Sequence, residues 1–131
     1  MKQPCLDKIW ACGNILIIDQ ETSLNLYNIS TGAMVGSICL ENYEDYTVSQ
    51  VEMFSDMVYM LLEGEENNLL CRYTLEGDLD ETTTLPYGDS IYMKISNCWK
   101  TLLLVDQTLP SSPVIRTFSV KSGLKLVQEF R

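Results

Sequence analysis

Histidine is absent from this 131-residue chain, and much of the catalytic menu goes with it. No Ser-His-Asp or Cys-His arrangement can form. Histidine-based zinc sites are excluded too, and the five cysteines offer no Cys-x-x-Cys pair from which a four-thiolate site could be built. No glycine-rich phosphate loop occurs; Gly64 with Asn67 and Asn68 marks a loop and not a cradle. No cofactor and no metal is therefore expected. The apolar runs stop far short of the roughly 20 residues of a membrane helix. The start, Met1-Lys2-Gln3-Pro4-Cys5, lacks the apolar stretch of a secretory signal. Cys5, Cys12, Cys39, Cys71 and Cys98 are scattered and mostly flanked by apolar residues, which suits buried, reduced thiols. These absences make an intracellular location, cytoplasmic or nuclear, the expectation. The sequon at Asn28 would matter only in a secreted chain.

Basic residues are missing over a long span. From Ile9 to Cys71 there is no Lys or Arg, against ten acidic residues, whereas residues 72–131 hold seven of each sign. The net charge of −9 thus sits almost wholly in the first half. An acidic half repels phosphate, so nucleic acid and anionic membranes are excluded as expected partners. A protein with a basic surface is the electrostatic counterpart.

What is present is a repeat. Tyr27-Asn28-Ile29 precedes Gly32, Tyr73-Thr74-Leu75 precedes Gly77, and Phe118-Ser119-Val120 precedes Gly123, with the aromatics 46 and 45 residues apart. Upstream of each lies a short apolar run ending in an acid: Ile15 to Asp19, Val58 to Glu63, and Leu102 to Asp106. Runs this short, bounded by turn formers, predict strands buried on both faces. Further strands are predicted upstream, over Leu6 to Cys12, Thr47 to Phe54 and Ser90 to Ser96. Others follow downstream, over Met34 to Leu40, Asp80 to Leu85 and Leu124 to Phe130. Ser30-Thr31-Gly32 and Lys121-Ser122-Gly123 read as hairpin turns in which glycine supplies a positive φ. The alternation in Thr47 to Phe54 is imperfect, while Ile91, Met93 and Ile95 share one face cleanly.

A period near 45 residues with about four strands per unit is that of a propeller blade. The chain resembles the WD40-like propeller repeat, whose third strand ends in an aromatic-polar-aliphatic triplet before a glycine turn. The pair that is Trp-Asp in that family is here Tyr27-Asn28, Tyr73-Thr74 and Phe118-Ser119, and the Gly-His dipeptide has no counterpart. The residues of the family's hydrogen-bonded tetrad are thus missing. The expected fold is all-β: three four-stranded antiparallel blade-like units at about 1–43, 44–87 and 88–131, forming a partial β-propeller. An unrelated β-sandwich is the alternative. Closed propellers carry about four to eight blades. The chain is therefore expected to be a piece of a larger propeller, to be completed by another chain, or to close a six-bladed ring as two copies. A strand running to Phe130-Arg131 favours the first two, and a homo-oligomer stays open.

The resemblance implies a non-enzymatic protein–protein interaction scaffold within an intracellular multiprotein assembly. The candidate partner-binding residues are Glu41, Tyr43, Glu44, Asp45 and Tyr46, an acidic loop with two tyrosines between units. Tyrosine brings large contact area at low entropic cost, and loops on a rigid scaffold concentrate binding residues. Pro110-Ser111-Ser112-Pro113 reads as a rigid, extended connection and a second contact loop. The alternative is a carboxylate-based enzyme or a small-ligand binder using a propeller channel, with Asp78, Asp80 and Glu81 as the densest acids. No catalytic residue is assigned.

Overall fold

The structure, a computed structural model, describes residues 8–20, 22–121 and 124–131. Among them are three four-stranded antiparallel sheets, each a simple meander. The first contains β1 (Ile9–Cys12), β2 (Ile15–Asp19), β3 (Ser23–Asn28) and β4 (Met34–Cys39). The second contains β5 (Thr47–Phe54), β6 (Met57–Glu63), β7 (Asn67–Thr74) and β8 (Leu79–Pro86). The third contains β9 (Ile91–Ser96), β10 (Thr101–Asp106), β11 (Val114–Ser119) and β12 (Lys125–Phe130). The all-β reading with three blade-like units is the architecture observed. Part of the first predicted strand, and Ser122 and Gly123 of the third turn, lie outside the described residues.

The repeat persists at the level of register. Tyr27, Tyr73 and Phe118 stand opposite Leu16, Val58 and Leu102 on one side and Met34, Leu79 and Leu126 on the other. Immediately before each aromatic the outermost strand carries a β-bulge, so that Val35, Asp80 and Val127 have no cross-strand partner. A bulge bends the strand and raises its twist. Its recurrence at one place in all three sheets makes them copies of one local design. A further bulge between Val48 and Gln50 re-phases β5 and explains its imperfect alternation. Ser55 and Asp56 close the β5–β6 hairpin with φ of 51° and 61°, the left-handed pair that a two-residue turn requires.

The sheets stack face to face through two hydrophobic cores. In the first, Ile17, Leu24, Leu26 and Ile38 meet Val58, Met60, Leu62 and Tyr73. In the second, Tyr59, Leu61, Leu70 and Leu85 meet Leu102, Leu104, Phe118 and Ile95, among others. Strand β6 feeds both, with alternate residues to either side, so Val58 to Leu62 is wholly buried. Fully burying each such side chain contributes about 1.5–3 kcal/mol. The expectation of burial on both faces holds for this run alone. In β2 only Ile17 is buried and in β10 only alternate residues are, because the terminal sheets have a neighbour on one side only. For the same reason Tyr73 and Phe118 are core residues, while Tyr27, at the equivalent position of the first sheet, is only half-buried.

Polar groups also bridge the sheets. Gln50 donates to the Ile91 carbonyl and accepts from the Met93 N–H at 2.7 Å, and Glu52 accepts from the Ile95 N–H at 3.4 Å. Side chains of β5 thereby occupy hydrogen-bonding positions along β9. Lys8 reaches the Val48 carbonyl in the same manner one sheet earlier. Leu124 donates its N–H to Glu81 at 2.8 Å. At the other edge Gly36 and Gly77 let backbones touch: a Cβ on Gly36 would lie 1.8 Å from the Leu75 carbonyl oxygen, and one on Gly77 would lie 1.9 Å from that of Ser37. Two expectations are corrected. The segment at Pro110-Ser111-Ser112-Pro113 is a turn, closed by Ser112 N–H to Leu109 C=O at 2.8 Å, and not an extended connection. Of the four described cysteines only Cys71 is buried, since Cys39 and Cys98 fall on strand-edge and turn positions open to solvent.

Candidate functional site

The acidic loop joins the first sheet to the second. Buried Leu40 fixes its start, and Glu41–Tyr43 then form one turn of 3-10 helix that leads through Glu44 to Tyr46. Both tyrosine rings are half-buried against the first core, and they meet edge to face at 6.3 Å with an interplanar angle of 81°. Tyr46 donates its hydroxyl to Asn67 Oδ1 at 2.7 Å. Its ring lies over Gly64, where an added Cβ would come within 2.6 Å of Cε2. The tyrosines therefore act as anchors that tie the loop to the scaffold, and Glu41, Glu44 and Asp45 project into solvent around them. Of the five residues, the three carboxylates present the surface and the two rings hold it.

Two clefts flank Tyr46. One, of about 230 Å³, is lined by Asp19, Glu41, Tyr43 and Glu44 among others. The other is an open groove walled by Glu44 and Asp45 on one side and Glu65 and Glu66 on the other. The turn that carries Glu65 and Glu66 is held by Asn68, which is fully buried. Asn68 accepts from the Gly64 N–H at 3.2 Å and donates to the Gly88 carbonyl at 3.0 Å. Sequence reasoning read Gly64, Asn67 and Asn68 as a loop, whereas Asn67 and Asn68 begin β7. Folding brings Glu65 and Glu66 across from Asp45, and nothing in their local spacing signals that. Lys8 is engaged with the Val48 carbonyl.

Beneath the loop, burial and the neighbouring Tyr43 hydroxyl hold the Tyr73 phenol well above its ordinary pKa. Among the described residues its oxygen makes no hydrogen bond of ordinary geometry. Burial likewise pushes the Cys71 thiol up, against the opposing contact from Thr82 Oγ1 at 3.8 Å.

The densest acid run of the sequence does not converge. Asp80 is the bulged residue of β8 and pairs with Arg72, whose Nε lies at 2.7 Å. Glu81 accepts from Leu124, and Asp78 sits in the exposed turn. Asp80 and Glu81 are thus occupied in holding strands. A half-buried charge cluster that sequence reasoning missed lies in the third sheet. Arg116 pairs with Glu129 at 2.9 Å and with Asp106 at 3.8 Å, and Asp106 also accepts from the Thr108 N–H at 2.9 Å. Hydrogen bonding from Arg116 holds the Glu129 carboxyl below its ordinary range. Among the described residues no group of His, Cys, Asp or Glu is arranged to hold a metal ion. No helix there is long and apolar enough to cross a membrane. No family model matches the chain, and no curated protein matches it in sequence.

Proposed function

We propose that this protein is a non-enzymatic interaction scaffold, a β-propeller segment of the WD40-like kind within an intracellular multiprotein assembly. Its acidic edge receives a basic segment of a protein partner. The observation that carries the reading is the two-sided acidic groove. Glu44 and Asp45 face Glu65 and Glu66 across Tyr46, on a loop pinned by two half-buried rings. A rigid loop loses little entropy on binding, and a groove of one sign steers a partner of the other. Committed pairings of Asp80 and Glu81 favour this reading over a carboxylate-based enzyme.

The test uses an arginine-rich peptide as probe and stopped-flow association as readout. Neutralising the loop as Glu41→Gln, Glu44→Gln and Asp45→Asn should slow association about ten-fold at low salt. The same charge change at the opposite edge, Asp56→Asn, Glu76→Gln and Asp78→Asn, should slow it far less. Rates should fall as salt is raised. Equal effects of the two triple variants, or indifference to salt, would remove the acidic groove as the binding surface.

A further inference from the structure

Each buried interface in this protein joins two different faces. One sheet offers the side bearing Ile17, Leu24 and Leu26, or in the next case Tyr59, Leu61 and Leu70. The following sheet offers the side bearing its repeat aromatic: Val58, Met60 and Tyr73, then Leu102, Leu104 and Phe118. Two faces of these same kinds stay uncovered. The first sheet exposes its aromatic side, with Leu16 and Ile18 beside Tyr27, Met34 across from it, and Ile9 53% exposed. The third sheet exposes the opposite kind, a row across all four strands of Tyr92, Val105, Ile115 and Phe130, with Leu103 alongside. One end of the stack thus lacks what the other end carries.

We propose that a second copy of this chain covers both ends at once. The third sheet of each copy packs on the first sheet of the other, giving a closed six-sheet ring with a two-fold axis. The proposal rests on the blade-like reading of the sheets and makes no use of the acidic groove. Three observations support the occupant.

The first is continuity with the internal interfaces. Lys8 and Gln50, equivalent in register, each reach across to a first-strand carbonyl of the next sheet. Tyr92 holds that position in the third sheet and is 60% exposed. Gly77 lies against the Ser37 backbone of the preceding sheet, whereas its counterpart Gly32, also at positive φ, has no atom of the described residues near the place its Cβ would take. The second is charge. Residues 88–131 hold six basic against three acidic residues, while residues 1–43 hold two basic against four acidic. The two ends therefore attract. The third is number. Among the described residues there are three sheets, two copies give six, and six falls within the about four to eight blades of closed propellers. A front-to-back contact must close into a ring or run on as a filament, and closure with two copies buries both apolar ends.

The mass in solution, by light scattering on an eluting column, tests this. The chain should elute at about twice its 14.9 kDa. Ile9→Asp and Tyr92→Asp change exposed positions and should each shift the mass toward the monomer, with the far-ultraviolet circular dichroism unchanged. Mixing the two variants should restore the doubled mass, since one undamaged front then meets one undamaged back. A wild-type monomer at the highest concentration reached would overturn the proposal, whether another protein or nothing covers the ends. So would a filament, or a Tyr92→Asp protein that remains a dimer. None of these results bears on the arginine-peptide rates, so the two readings fail separately.

Discussion

At the residue scale, two glycines do what no other residue could. A methyl group at Gly36 or Gly77 would overlap a carbonyl oxygen of the adjoining sheet, and backbone cannot swing aside as a side chain can. Gly36→Ala and Gly77→Ala should each cost about 3 kcal/mol, at the upper end of overpacking losses. Gly32→Ala, strained in φ but unobstructed within one chain, should cost the single chain about 1–2 kcal/mol. Urea unfolding of the three variants checks the order, and a Gly36→Ala protein as stable as wild type would contradict the close approach. The repeat glycines at 32 and 77 were legible in the sequence. Gly36 was not, because its constraint comes from a different sheet.

Titration and reactivity belong to the same scale. Cys71 should label with a thiol reagent only after unfolding, while Cys39 and Cys98 should label in the native protein. Mass spectrometry after brief labelling reads this site by site. Glu129 is held below its ordinary pKa by Arg116, so the folded state binds its proton less readily than the unfolded chain does. Its contribution to stability is therefore present at neutral pH and is lost as pH falls through the depressed folded value. The gap in urea midpoint between wild type and Glu129→Gln should be open at pH 7 and closed in acid.

At the scale of elements, strand β6 and its hairpin explain why strand existence was easier to read than strand environment. The run Val58 to Leu62 announced a strand, and so did Ile15 to Ile18 and Leu102 to Val105, all in similar language. Of these three runs only the one in β6 is covered on both sides. Val58→Ala and Leu61→Ala point to opposite cores and should both destabilise the protein, Leu61→Ala by about 2–5 kcal/mol. The β5–β6 turn carries no glycine, so nothing in its composition flagged a left-handed pair. Asp56→Gly relieves that conformation and should raise stability by about 1 kcal/mol, measured as a higher urea midpoint. A loss on this substitution would show that the Asp56 side chain matters more than its backbone.

At the scale of the molecule, charge and topology act together. Acids some 20 positions apart in sequence become one groove because the β4–β5 and β6–β7 connections leave the stack at the same edge. The candidate loop itself, Glu41 to Tyr46, was legible as an acidic stretch with two aromatics. The role of those aromatics was not: a tyrosine in a polar loop reads the same whether its ring packs inward or faces water. Here the rings pack inward and the carboxylates form the surface.

The amino-acid order alone specified how many units there are, their all-β character and where most of the strands run. Those features follow from side-chain period and turn chemistry, which are local. Tertiary structure decided which apolar runs have neighbours on one side or two, where backbones touch, and which distant carboxylates share a groove. These depend on how one sheet lies against the next, and stacking brings together residues some 40 positions apart through contacts that no short window of sequence contains.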